Sequence, residues 1–240
     1  MNVKIRLYVK NQICSAQIIS LGRDQANYLF SVMRQTVGDQ IHIFNNFDGE
    51  WLAEIINANK RIVELKCLDK IRQSIVPPNV WLFFSPIKKS RTDFIVEKAT
   101  ELGVAEIFPT RSEFTNSARI NQDRLQTHAI EAAEQCGGTY VPKVHKICKL
   151  SDTLEKWPDE RNIFFCNEDN LKPTCKLSEL PKGAWAIFIG PEGGFSKGEK
   201  KRFTQHSKTF SISLGPRILR ADTAAISALT LWQSNFGDWA

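Results

Sequence analysis

Apolar and polar residues alternate at the start of the chain. Val3, Ile5, Leu7 and Val9 are set against Lys4, Arg6, Tyr8 and Lys10, the two-residue period of a half-buried strand. Asp24 then predicts the cap of a short helix that gathers Ala26, Leu29, Phe30, Met33 and Val37 on one face. Apolar-rich runs over residues 41–44, 51–56 and 62–68 read as strands. The stretches between them, 45–49 and 57–59, carry the Asn, Asp and Gly that tight turns use. Short strands, tight turns and one small helix predict a compact β-barrel. Pro77-Pro78 can neither propagate a helix nor join a central ladder. The expected division is therefore a first domain over 1–72, a linker over 73–79 and a second domain over 80–240.

Beyond the linker the pattern changes to strand and helix in alternation. Residues 80–85 form an unbroken apolar run, as expected of a strand covered on both faces. Residues 91–102 place Phe94, Ile95, Ala99 and Leu102 on one helical face and stop at Gly103. Residues 104–109 return to a strand. Residues 121–136 repeat the helical spacing with Leu125, Ala129, Ala132 and Cys136, closed by Gly137-Gly138. Further strands are predicted at 163–166, 185–189 and 210–214. The last helix starts at about Asp222, turns Ala225, Leu229, Trp232 and Phe236 inward, and ends at Gly237. This alternation predicts an α/β domain with a mostly parallel sheet. No internal repeat or low-complexity tract interrupts it.

Composition narrows the function classes. The 240 residues, 42% of them hydrophobic, suffice for one large or two modest cores. No apolar run reaches the roughly 18 residues of a membrane span, and the basic start lacks a signal-peptide core. Six cysteines (14, 67, 136, 148, 166 and 175) stand apart without a CxxC, and the four histidines are equally scattered. Free thiols in a reducing cytoplasm, with no metal site, are the expectation. The net charge of +6 is compatible with a nucleic-acid partner without requiring one.

The candidate chemistry lies in two stretches, 185–196 and 214–224. In each, a strand-like run meets Gly-Pro (Gly190-Pro191, Gly215-Pro216) and gives way to a helical pattern. Ser196 and Glu199 have the spacing of a capping box. Gly193 and Gly194 leave the first turn without side chains, so a bulky ligand could lie against its backbone. Ligands of open α/β sheets sit at strand carboxyl ends, here after Cys166-Asn167-Glu168, Ile189 and Leu214. Gly190-Pro191-Glu192-Gly193-Gly194 is not GxGxxG, and no acidic residue follows at the ribose-binding distance. Glu199 stands where a P-loop needs lysine, and no GxSxG elbow exists. Spacing alone leads to a nucleotide-like ligand held by backbone.

Gly190-Pro-Glu-Gly-Gly194, followed by Leu214-Gly-Pro-Arg-Ile-Leu-Arg220 and Asp222-Thr-Ala224, resembles the paired signature of the RsmE family. These bacterial enzymes methylate N3 of a uridine in 16S ribosomal RNA. The likeness extends to 97–103, 131–137, Val37-Gly38-Asp39 and Phe236-Gly237-Asp238. It implies a SPOUT-type α/β domain with a deep trefoil knot, preceded by a PUA-like barrel. It also implies S-adenosylmethionine as cofactor, 16S ribosomal RNA or the small ribosomal subunit as partner, a homodimer and a cytoplasmic location. The chain departs from the family with Ala221-Asp222 in place of Thr-Glu, and with Gly138 and Tyr140 where many relatives carry arginines. A methyltransferase acting on another RNA site or a ribose 2′-OH remains an alternative, as does a non-catalytic RNA-binding module.

On this resemblance, backbone at Asn167, Ile189, Gly190, Leu214 and Leu219 is expected to surround the cofactor. Gly193, Gly194 and Gly215 leave room; Ile189, Leu214, Ile218 and Leu219 form apolar walls; Glu192, Thr223 and Ala224 complete the set. Uridine N3 bears a proton, so a base or a cation that stabilises the imidate is required. Arg220 is the candidate cation, or else a salt bridge to Asp222 or Glu192. Asp222 is a candidate base or the cap of the last helix. Arg6, Arg34, Lys88, Lys89 and Arg91 are the expected RNA-phosphate contacts, with Arg111 and Arg119 flanking a polar loop. The final helix spreads Ala225, Ile226, Leu229, Leu231, Trp232 and Phe236 more widely than one core-facing stripe needs, which predicts a dimer surface.

Overall fold

The structure is a computed structural model, and it describes residues 5–117, 119–167 and 177–240. Val3, Lys4, Glu168 and Cys175, all used above, lie outside the described residues. Two compact units divide the chain: residues 1–76 with 133–141, and residues 77–132 with 142–240. The boundary between Val76 and Pro77 falls inside the expected linker over 73–79, but the stretch 133–141 lies with the first unit. The reason is local bonding. Within that unit Arg6 donates to the carbonyls of Ala133, Glu134 and Gly138 at 2.8–3.0 Å. Asn46 exchanges hydrogen bonds with Val141 at 2.9 Å in both directions.

The first unit contains β1 (Arg6–Tyr8), β2 (Ile18–Leu21), α1 (Arg23–Asn27), β3 (Gln40–Asn45), β4 (Gly49–Ala58) and β5 (Val63–Arg72). The strands form one sheet in the order β1-β3-β4-β5-β2, parallel only between β1 and β3. Alternate residues of all five strands, among them Leu7, Ile19, Ile41, Ile43, Ala53, Ile55, Val63 and Leu65, meet in one core. The predicted helix is shorter than its pattern. Gly22, not Asp24, occupies its N-cap, and a π-helical turn follows over Tyr28–Val32. Ala26 and Leu29 are buried, while Val37 is exposed in a turn beyond the helix end at Met33.

Glu50, on β4, is buried to 3% exposure, with Oε1 2.7 Å from Arg6 Nε and 3.1 Å from His42 Nδ1, and Oε2 2.5 Å from Arg72 Nε. Burial alone would raise its pKa. The hydrogen bonds and charges of Arg6 and Arg72 outweigh that effect and hold the carboxyl below the usual carboxylate range.

The second unit alternates strands and helices: β6 (Val80–Phe84), α2 (Lys89–Glu101), β7 (Glu106–Arg111), α3 (Gln122–Cys136, its last turn from Ala133 counted with the first unit), β8 (Lys143–Val144), β9 (Cys148–Lys149), α4 (Leu150–Glu155), β10 (Asn162–Cys166), β11 (Trp185–Ile189), α5 (Lys197–Gln205), β12 (Thr209–Ile212) and α6 (Ala221–Phe236). Its sheet runs β12-β10-β11-β6-β7-β8, with β9 paired to β7, and every pairing is parallel. The register sets Phe188, Phe83 and Phe108 side by side on three neighbouring strands. Their rings stack at 4.5 and 4.4 Å, and His145 continues the row at 4.0 Å from Phe108. Phe94 was expected in the core of α2 but is 38% exposed, with the Lys98 ammonium over its ring. Thr92 and Val96 take the buried places instead. Among the described residues, no helix is long and apolar enough to cross a membrane.

Candidate active site

Because the sheet is parallel, the carboxyl ends of β12, β10 and β11 emerge next to one another. The chain leaves them as Cys166-Asn167, as the turn after Ile189 and as the segment after Ile212. These segments enclose a cleft of about 600 Å³, including its open mouth. Its walls are Cys166, Asn167, Ile189, Gly190, Pro191, Glu192, Gly194, Leu214, Gly215, Arg217, Ile218, Leu219, Ala221 and Ala224. It opens at the edge where ligands of such sheets bind.

Each loop keeps its shape for a local reason. Gly194 donates its N–H to Pro191 O at 2.8 Å and has φ +67°, a conformation that glycine adopts without a Cβ penalty. At Gly190 an added Cβ would lie 3.1 Å from the Phe195 ring. That ring is buried against Phe165 and Phe203, so the turn is pinned to the core. The capping box then starts α5: Ser196 Oγ accepts from the Glu199 N–H at 3.3 Å, and Glu199 Oε2 accepts from the Ser196 N–H at 2.9 Å. On the second loop Gly215, at φ +107°, would place a Cβ in open space. Ile218 is 79% exposed, an apolar side chain left at the rim of the cleft. Burial of the Cys166 thiol raises its pKa far above the ordinary cysteine value.

The charged groups differ from expectation. Arg91, from the first turn of α2, holds both acids, with Nη1 3.0 Å from Glu192 Oε1 and Nε 3.7 Å from Asp222 Oδ2. Arg220 makes neither pair. It is the N-cap residue of α6, its carbonyl accepts from the Ala224 N–H at 2.7 Å, and its exposed side chain has no partner among the described residues. Asp222 is not the helix cap either. It sits inside the first turn, where Oδ1 accepts from the Thr223 N–H at 3.0 Å.

Of the residues expected around a cofactor, Asn167, Ile189, Gly190, Glu192, Gly194, Leu214, Gly215, Ile218, Leu219 and Ala224 line the cleft. Gly193 and Thr223 do not. A Cβ on Gly193 would meet Phe114 at 3.4 Å, so its missing side chain leaves room for a phenyl ring rather than a ligand. Thr223 points to solvent on the exposed side of α6. Sequence reading missed Cys166, Pro191, Arg217 and Ala221, all neighbours of chosen positions and findable as whole loops. Arg6 is a further correction. Its guanidinium is spent on Glu50 and three carbonyls, which leaves little for a phosphate. Arg34 (φ +54°), Lys88 and Lys89 are exposed.

Comparison with known proteins now adds to this geometry. Residues 76–233 match the model of an RNA methyltransferase domain, and residues 10–68 that of an RNA methyltransferase PUA domain. Ribosomal RNA small subunit methyltransferase E of Buchnera aphidicola subsp. Schizaphis graminum is 31% identical over 97% of both chains. The protein of the same name from Rickettsia conorii is 30% identical over 93% of both. A crystal structure of ribosomal RNA small subunit methyltransferase E from Neisseria gonorrhoeae, bound to S-adenosyl methionine, superposes with a TM-score of 0.88 at 28% identity. It covers 98% of this chain and 99% of that one. The fold is that of an RNA methyltransferase with an N-terminal PUA-like domain. The chain belongs to the RsmE family of these enzymes.

Proposed function

We propose that the protein transfers a methyl group from S-adenosylmethionine to N3 of a specific uridine in 16S ribosomal RNA, working in the cytoplasm as a homodimer. The observation that carries this reading is the single cleft built from both Gly-Pro loops at adjacent parallel strand ends. Its composition suits the cofactor. Ile189, Leu214, Ile218 and Leu219 offer apolar surface, exposed backbone offers donors and acceptors, and Glu192 and Arg217 supply one charge of each sign for an amino-acid ammonium and carboxylate. When bound, the cofactor supplies a methyl group already activated on a sulfonium. The protein orients it and keeps water away, a contribution of up to about 7–11 kcal/mol when alignment is good.

The chain must also help N3 lose its proton. In this reading Arg220, an exposed cation between the cleft residues Leu219 and Ala221, stabilises the imidate left when the N3 proton passes to solvent. Asp222 shares Arg91 and shapes the start of α6. A deep knot belongs to the same reading, supported by family membership. So does the dimer. On α6, Ala225, Leu229 and Trp232 are buried, whereas Ile226, Leu231 and Phe236 are only half-buried; Trp239, beyond the helix end, is 54% exposed, and together they make an apolar surplus suited to an isologous contact.

Two measurements test the reading. Mass spectrometry of ribosomal RNA nucleosides from cells with and without the gene is expected to show loss of one N3-methyluridine. Loss of a 2′-O-methyl nucleoside instead, or no loss, overturns it. Light scattering is expected to give twice 27.3 kDa.

A further inference from the structure

A second cleft lies on the methyltransferase unit, apart from the first. It spans about 710 Å³ including its mouth and is lined by Arg111, Ser112, Glu113, Lys149, Ser151, Ser196, Gly198, Glu199 and Arg202. Arg111 ends β7 and Lys149 ends β9, and the parallel register pairs these two residues directly. Arg202 comes from α5. All three are exposed, and none has an ion pair or a side-chain hydrogen bond among the described residues. The acids in the same wall pair with none of them, and three cations against two carboxylates leave the wall net positive. Both oxygens of Glu199 accept backbone N–H groups, from Ser196 at 2.9 Å and Glu113 at 2.8 Å. Glu113 makes no ion pair among the described residues.

Like charges directly opposite on neighbouring strands repel, so the Arg111–Lys149 pairing costs the fold stability and gains no internal partner. An anion threading the cleft reverses that sign. Arginine suits phosphate oxygens in particular, through its planar fork of donors. We infer that the cleft of Arg111, Lys149 and Arg202 is a docking site for the phosphodiester backbone of the RNA substrate, separate from the cleft proposed to hold the cofactor. The inference rests on the proposed function for the identity of its polyanion.

The test is the salt dependence of binding to a 16S ribosomal RNA fragment, measured by filter binding on the full chain. Each phosphate contact contributes a slope of roughly 0.7 in log affinity against log salt for a single strand. The triple variant Arg111→Gln/Lys149→Gln/Arg202→Gln is therefore expected to bind more weakly and to lose about 2 units of slope. Between 50 and 200 mM salt the wild type then loses roughly twentyfold more affinity than the variant. The thermal midpoint is expected to hold or rise, because the repulsion between Arg111 and Lys149 is relieved, and S-adenosylmethionine affinity is expected to stay at the wild-type value, since all three side chains are exposed and outside the first cleft. Lys146→Gln, an exposed lysine not in the cleft wall, is the control and is expected to leave the slope alone. An unchanged slope in the triple variant, or an equal fall in the control, overturns the inference. A wild type that binds the fragment with the expected slope but transfers no methyl overturns the proposed function and leaves this site standing.

Discussion

Replacing Glu50 with glutamine tests the electrostatic centre of the N-terminal unit. The substitution keeps shape and removes the charge that Arg6, His42 and Arg72 share. Breaking one side of a buried ion pair costs about 3–5 kcal/mol, because the partner charge stays behind. Here the lower end applies. Arg72 is 40% exposed and can turn to water, and Arg6 keeps three carbonyl acceptors. A loss of about 3 kcal/mol is expected. At the 4–8 °C per kcal/mol typical of a small domain, the melting midpoint of this unit falls by roughly 12–24 °C.

The pH profile supplies a second readout. Glu50 has a folded pKa below its unfolded one, so its stabilisation is complete above the unfolded value of roughly 4.3. It is lost as pH falls through the folded pKa. Thermal unfolding followed by circular dichroism is expected to show wild-type stability declining below about pH 5 more steeply than that of Glu50→Gln. A variant within about 1 kcal/mol of wild type, with a parallel acid profile, refutes the reasoning.

Other substitutions probe the methyltransferase unit. Gly194→Val forces a β-branched residue to φ +67° in the cleft wall. Its strain of about 1–2 kcal/mol is expected to weaken S-adenosylmethionine binding about tenfold or more by calorimetry. Gly193→Ala, which meets only Phe114, is expected to leave that affinity within about twofold, about 0.4 kcal/mol. Arg91→Ala removes both half-exposed ion pairs, so global stability changes by less than about 1 kcal/mol. Looser anchoring of the 190–194 turn is nonetheless expected to raise the cofactor dissociation constant, and an unchanged constant denies Arg91 that role. Arg220→Ala is expected to cut kcat by about 10²–10³ with cofactor affinity unchanged, and normal turnover removes it from the chemistry.

The elements legible in the sequence were those whose signal is local. The apolar runs of β6, β10 and β11 and the Ser196–Glu199 capping box needed no knowledge of the rest of the chain. The two Gly-Pro loops were equally plain, and with them most of the cleft wall. What was not legible depends on partners distant in sequence. Arg6 read as an RNA contact because nothing near it reveals Glu50 or the carbonyls of 133–138. Arg91 read as a phosphate ligand although it spans to Glu192 and Asp222, about a hundred residues away or more. Gly193 and Gly194 look alike in sequence, yet one accommodates Phe114 and the other a left-handed turn. The stub strands β8 and β9, only two residues each, carry too little periodicity to be seen.

The thiol of Cys166 has a chemical consequence for an enzyme that stores an alkylating agent. It stands in the wall of the cleft where the sulfonium is proposed to bind. A thiolate there would compete with uridine for the methyl group, since sulfur anions are strong nucleophiles and the neutral thiol is not. Desolvation raises the pKa of the Cys166 thiol and so favours its neutral form. The same desolvation that makes the cleft hospitable to a cofactor therefore protects the enzyme from methylating itself. Intact-mass measurement after prolonged incubation with S-adenosylmethionine and no RNA is expected to show no methylated chain; a gain of one methyl at Cys166 would show that this protection fails.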